Sequence, residues 1–335
     1  MNINRLLIEN YKSLLHVEII NPAPFSVFVG PNASGKSNIF EAIHFAVTLS
    51  QYYGAETVRA IGNFIPYNNE DLLPNFKVRF DDFESAYTIQ RFDSKHKAFS
   101  FVHHNLMQTG QDIPGFGNPG YNQTASYNQF FRGFSRIFIK NDDLDRLKYT
   151  DDFKLSSAGR NLASVLKRVL QDDQKRESIT EWLQLLIPGF ERIEIVSDEL
   201  GGTDSLRVYE SGTTKPFSEN LISDGTFNII AILTAVYQSD GPQFLCIDEP
   251  ENGLNPKVIK ELVSFFRNQC QKHGHYIWLN THSQTLVREL TTEEIIIVDK
   301  LNGETKIKQI QGENLHGLPM DEALLTNAIG GGIPW

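Results

Sequence analysis

With only two cysteines, Cys246 and Cys270, the chain can build neither a disulfide framework nor a four-ligand zinc site, and a reducing cytoplasm suits it best. No apolar run approaches the roughly 20 residues that a helix needs to span a bilayer. The opening MNINRLLIENYKSL breaks its apolar residues with Asn, Arg, Glu and Lys, so it lacks a cleavable signal pattern. A soluble cytoplasmic protein with no membrane contact is expected. Positive charge is in deficit. The 31 Lys and Arg stand against 41 Asp and Glu, and the net charge of -10 excludes a surface uniformly coated for nucleic acid, though not a local basic patch. Internal repeats and heptads of coiled-coil length are absent too. What remains is globular in composition, 40% hydrophobic and 21% charged over 335 residues, enough for one large domain or two ordinary ones.

Short strand-like runs open the chain, INRLLIEN and LHVEII, followed by the buried-strand pattern FSVFVG and the helical spacing of SNIFEAIHFAVTL. Residues 51–135 read as a β-rich insertion that ends in a Gly/Asn/Pro/Gln-rich loop at 110–129. RIFIK returns to strand, NLASVLKRVLQ and SITEWLQLL read as helices, and RIEIV as a strand. From Leu221 onward helices alternate with apolar strands: FLCIDEP, a helix from Pro256, YIWLNT, a short helix and EIIIVDK. That alternation predicts an α/β fold with a mostly parallel central sheet.

Chemistry concentrates in four places. Gly30, Pro31, Asn32, Ala33, Ser34, Gly35, Lys36 and Ser37 form a full P-loop match between a strand and a helix. Backbone N–H groups of such a loop wrap phosphate, Lys36 reaches the β- and γ-phosphates, and the Ser37 hydroxyl ligates Mg²⁺. FLCIDEPE ends an apolar strand in an acid pair, with Asp248 as metal ligand and Glu249 as the group that orients or deprotonates water. His282 follows Asp248 by 34 residues, one helix and one strand later, and should reach the same sheet edge to meet the γ-phosphate or the attacking water. Finally, LISDGTFNII has the form of an ordinary capped helix start at Ser223 or Asp224. A bare helix start is also an anion site. The residues alone leave both readings open.

The order P-loop, Ser-x-Gly helix start, Asp-Glu strand, His after the next strand resembles ABC-type ATPases. LLIENYKSL, ISDGT, IDEPENGLNP, NTHS and NLASVL resemble the RecF/SMC-like branch, nearest the AAA ATPases of OLD-family nucleases and related phage-defence proteins. The resemblance is firm over residues 1–50 and 220–300. It implies a P-loop ABC-type head in one domain, with a nucleotide-binding core at 1–50 and 240–310, an N-terminal antiparallel β subdomain, a helical signature lobe at 136–239 and a C-terminal tail at 311–335. It implies ATP and Mg²⁺ as cofactors and ATP hydrolysis as the activity, with Lys36, Glu249 and His282 catalytic and Ser37 and Asp248 on the metal. It adds Asn38 and Lys12 to the nucleotide contacts. It also resolves the helix start: Ser223, Asp224 and Gly225 of one subunit would cap the ATP held by another in a head-to-tail homodimer or higher oligomer.

Three departures stand out. Asn255 replaces the His or Asp that many relatives carry after the catalytic acid. The long SMC coiled coil is missing, the helices around 161–186 filling its slot. The chain ends soon after His282, with no room for a Toprim nuclease domain. The Gln-containing loop has no clear counterpart, FIKNDD being the nearest region. The expectation is therefore an ATP-driven switch for a separately encoded nuclease or toxin, triggered by DNA or a phage product. The alternative is a RecF-like DNA-binding repair protein. A transporter subunit is disfavoured by the NYKSL opening and by the lack of a membrane-coupling pattern.

Other signals read as structural. Asp299…Glu304-Thr305-Lys306 resembles a nuclease set, but Asn302-Gly303 makes it a plain hairpin. His103-His104 and His273-Gly274-His275 read as loop polar residues. The ten Lys/Arg and seven Asp from Arg136 to Arg176 read as solvated faces rather than a DNA track.

Overall fold

The computed structural model describes residues 2–51, 72–81, 84–93, 98–108, 111–112, 126, 128–139, 152–197, 204–315 and 317–326. Most of the expected loop at 110–129 and of FIKNDD lies outside them. The chain divides into two compact units, Met1–Phe134 with Asn280–Trp335, and Ser135–Leu279.

In the first unit, β1 (Ile3–Tyr11) pairs antiparallel with β2 (Leu14–Ile20) and with β4 (Asn75–Phe80). β5 (Glu84–Asp93), β6 (Ala98–Gln108) and β7 (Gln111–Asp112) complete the order β2-β1-β4-β5-β6-β7. The opening strands and the β-rich insertion are thus one antiparallel sheet. His103 and His104 lie on β6, opposite Tyr87 and Ala86, so the expectation of a loop there is corrected. Val102 and Phe101 beside them are strand formers, and their pattern outweighs the polar pair. A π-helical turn at Asn128–Arg132 buries Phe130 and Phe131, with Phe130 edge-on to Phe80 at 5.4 Å.

The same unit holds β3 (Phe25–Val29), all five residues buried, parallel to β14 (Ile295–Leu301) in the register Ile295↔Val27. A strand buried on both faces must be apolar throughout, which is why FSVFV does not alternate. β14 turns through Asn302-Gly303, both with positive φ, into antiparallel β15 (Glu304–Gln309). The expected hairpin is there, and Asp299 faces Lys306 across it. Helix α1 (Lys36–Gln51) follows β3.

In the second unit, β13 (Tyr276–Thr281, which carries the chain back to the first unit), β12 (Phe244–Asp248) and β8 (Phe134–Ile137) are neighbours in that order. A small sheet orders β11 (Phe217–Ser218), β10 (Asp204–Glu210) and β9 (Phe190–Ser197). The expected helices are α2 (Leu162–Val169) and α3 (Asp173–Leu186), the latter capped by Asp172 on the N–H groups of Gln174 and Lys175. α4 (Asp224–Tyr237) is buried almost throughout, which its run of Ile, Ala, Leu and Val requires. α5 (Pro256–His273) begins on an Asn255 cap with Pro256 in its first turn and stops at left-handed Gly274. Asn255, noted above as a departure, has a job in that cap. Two shorter helices, α6 (Gln284–Arg288) and α7 (Met320–Leu325), belong to the first unit.

His275 is no loop residue on the surface. It is 4% exposed, and its Nδ1 accepts the Gln243 N–H at 3.1 Å. Several described cations between Arg136 and Arg176 are committed to acids in the same unit: Lys167 to Asp204, Lys175 to Asp240, Arg176 to Asp173. Arg168 donates to the carbonyls of Asp152, Phe153 and Gln238. These residues form a paired surface, not a track of open charge.

Candidate nucleotide site

The P-loop runs from Gly30 to Ser37 between β3 and α1. Lys36 is 4% exposed and folds its ammonium over the loop, donating to the carbonyls of Gly30 at 2.8 Å and Pro31 at 2.9 Å. His282, on the loop between β13 and α6, places Nδ1 3.4 Å from Lys36 Nζ. These two expected residues come together although 246 positions separate them. Asn280, buried at the end of β13, donates to Ser37 Oγ at 3.2 Å and so orients that hydroxyl.

The loop is braced from behind by residues that the motif does not contain. Thr305 on β15, fully buried, donates its hydroxyl to the Ser34 carbonyl at 2.8 Å and lies 2.7 Å from Ser13 Oγ. Its backbone N–H donates to the Ser13 carbonyl at 2.8 Å. Asn38 gives its amide to Ser13 Oγ at 2.9 Å. Gly35 has φ +104, and a Cβ there would stand 2.0 Å from Thr305 Oγ1. The glycine of the motif is therefore demanded by the hairpin pressing on it as well as by the turn it makes. Lys12, with φ +50, pairs with Glu41 of α1 at 2.6 Å.

In the second unit, Asp248 ends β12 with its side chain 1% exposed and accepts from Arg136 Nε at 2.8 Å. A buried carboxylate needs such a partner to stay ionised. Glu249 follows in the left-handed region, φ +48, which turns its side chain out of the strand's alternation. Its Oε2 accepts from Asn252 Nδ2 at 2.8 Å. Ser223 is the N-cap of α4, accepting the Thr226 N–H at 3.1 Å, and both Ser223 and Asp224 are exposed. Gly225 is buried because the Gly253 carbonyl lies against it: an added Cβ would meet that oxygen at 2.4 Å.

The family model described as "AAA domain, putative AbiEii toxin, Type IV TA system" matches residues 25–288, from β3 to the end of α6. The chain belongs to this family of AAA ATPases. Across its length the ATPase is 20% identical to an "ATP/GTP phosphatase" of Helicobacter pylori, over 95% of this chain and 94% of that one. A local match at 36% identity joins it to the "DNA replication and repair protein RecF" of Acinetobacter baumannii, over 22% of this chain and 19% of that protein. Among solved structures it is similar to an SMC head bound to the C-winged helix domain of ScpA, with TM-score 0.62 at 16% identity, covering 95% of this chain and all of that one. The SMC head domain from Thermotoga maritima gives a TM-score of 0.52 at 14% identity, over 93% of this chain. At such identities the likeness shows the fold alone, a P-loop ABC-type α/β head.

Sequence reasoning missed Ser13, Thr305, Asn280, Arg136 and Asn228. Of these, Asn228 left a visible signal, a lone amide inside the apolar run of α4. The others are ordinary strand and loop residues whose partners lie far along the chain.

Proposed function

We propose that this ATPase is a dimerising molecular switch whose ATP state controls a separately encoded effector, a nuclease or toxin, in prokaryotic anti-phage defence. The observation that carries the reading is the exposed capped start of α4 in a chain that also bears a complete hydrolytic set. In this reading Lys36 neutralises the β- and γ-phosphates, and His282 beside it hydrogen-bonds the γ-phosphate or the attacking water. The Ser34 hydroxyl is buried without a partner among the described residues, and a phosphate-filled loop would give it one. Ser37 and Asp248 each carry the hard oxygen donor that Mg²⁺ prefers, and each is assigned to the metal on that chemistry. When bound, the ion offsets phosphate charge. Glu249 orients and deprotonates water. Ser223, Asp224 and Gly225 meet the γ-phosphate of a second subunit. The family's toxin–antitoxin description supports an effector context. A RecF-like DNA clamp is favoured by the local match to RecF, and the acid-paired Lys167, Lys175 and Arg176 speak against it.

Two variants test the reading. Lys36→Ala should lose ATP binding or turnover. Glu249→Gln should still bind ATP but turn it over at least about a hundredfold more slowly, accumulating an ATP-bound dimer seen by light scattering. Unchanged ATPase activity in Lys36→Ala would sink the assignment. Expression with the neighbouring genes should co-purify the effector; ATP-dependent DNA binding in its absence would transfer the case to the clamp.

A further inference from the structure

Five residues after the signature serine, the buried amide of Asn228 does something that no motif requires. It sits in the second turn of α4, 6% exposed, among Ile229, Ile230 and Ala231. Its Nδ2 donates to two carbonyls of one loop, Pro250 at 2.9 Å and Asn252 at 3.3 Å. Those residues lie in the turn that begins at Glu249. Asn252 then closes the circuit, giving its backbone N–H to the Glu249 carbonyl at 3.2 Å and its side-chain amide to the Glu249 carboxylate at 2.8 Å. One turn earlier on the helix, Gly225 is in close contact with Gly253, so that neither can carry a Cβ without displacing the other.

We propose that Asn228 is a positioning residue for Glu249: it pins the loop 250–253 to α4 and thereby fixes where the carboxylate points. The proposal rests on Glu249 acting on the attacking water. The physical case is one of degrees of freedom. Glu249 sits in left-handed backbone, a conformation that a non-glycine residue holds only when its surroundings enforce it. The chain leaves β12 at Asp248, so the backbone of Glu249 is not held in a strand. Asn228 on α4 ties down the loop that follows, and a buried amide with two carbonyl acceptors is a stiff, directional tether. A leucine or isoleucine would fill the same space in so apolar a helix and could not hold the loop. The same tether and the contact of Gly225 with Gly253 join the start of α4 to the Glu249 loop of the same chain.

The test compares Asn228→Ala, Asn228→Asp, Glu249→Gln and the double variant Asn228→Ala/Glu249→Gln in the full chain. Alanine keeps the helix; aspartate keeps the size and removes the donors. The two are measured side by side, so loss of fold in one leaves the other to decide. Expected is a fall in kcat of about tenfold or more, with affinity for a fluorescent ATP analogue within about twofold of wild type; the carbonyls left without their donor lower the melting temperature in both variants, so rates are read well below it. On the Glu249→Gln background, single-turnover rates should fall by no more than about twofold further, because the tether acts through the carboxylate already removed. Wild-type kcat in the Asn228 variants while Glu249→Gln is slow overturns this inference alone. An equal loss with and without Glu249, or a loss of affinity at constant kcat, overturns it as well. Wild-type turnover in Glu249→Gln overturns the catalytic assignment and this inference with it.

Discussion

His275 shows how much one buried side chain can set. Burial, with a smaller contribution from His273, lowers its pKa from 6.5 to about 4, so the folded protein holds the ring neutral with Nδ1 accepting from Gln243. In the unfolded chain the ring ionises near its ordinary value. Between these two values the unfolded state binds more protons, so the stabilisation is fully present above about pH 6.5 and drains away as pH falls toward 4, by on the order of 3 kcal/mol. Denaturant melts of wild type and His275→Leu across that window should show a shallower pH dependence in the variant; parallel curves would rule the group out. The sequence hid this histidine because HGH after a helix reads as a solvated turn, and only the fold buries its third residue. The P-loop was legible for the opposite reason. Its residue types are dictated by backbone geometry within eight consecutive positions, so nothing distant is needed to read it.

Among the elements, the β14–β15 hairpin was readable as a shape and unreadable as a support. Asn302-Gly303 specifies the turn locally, and alternation specifies the strands. Thr305, however, is a common strand residue whose hydroxyl meets Ser34 across 271 positions. No local pattern announces such a contact. The hairpin whose acids and lysine resemble a nuclease set instead braces the phosphate loop. Thr305→Val keeps the shape and the backbone bond to Ser13 and removes the hydroxyl's hydrogen bonds to Ser34 and Ser13. It should weaken ATP binding by roughly threefold to tenfold, the share of a buried hydrogen bond, usually about 1 kcal/mol net, that loop order contributes to binding. Calorimetric titration checks this; a lower melting temperature with unchanged ATP affinity would make Thr305 a core residue and no more. α4 lies between these cases. Its start was legible as a cap, and Ser223 does cap it, while the packing of Gly225 on Gly253 depends on a loop that follows β12.

For the whole molecule, capping and anion binding at Ser223 are compatible, since the serine oxygen accepts from Thr226 while Ser223 and Asp224 stay exposed. What separates a plain cap from half of a composite site is therefore function, not geometry within one chain. Loss of the cap costs on the order of 1 kcal/mol and leaves the P-loop of the same chain intact. Ser223→Arg puts a bulky cation where the γ-phosphate of the opposing subunit would dock. If the site is shared in trans, Ser223→Arg and Lys36→Ala are each inactive alone. Mixed together, they form a heterodimer in which the P-loop of the Ser223→Arg chain faces the signature of the Lys36→Ala chain, and both halves of that site are wild type. ATPase activity should then partly return, to about a quarter of the wild-type rate in an equal mixture, where half the dimers are mixed and each has one intact site that turns over independently. The activity of the mixture, titrated against the ratio of the two variants, should peak near equal amounts. Full activity of Ser223→Arg by itself would leave α4 an ordinary capped helix, and a mixture no better than its parts would mean that both sites must fire together or that the signature acts within its own chain.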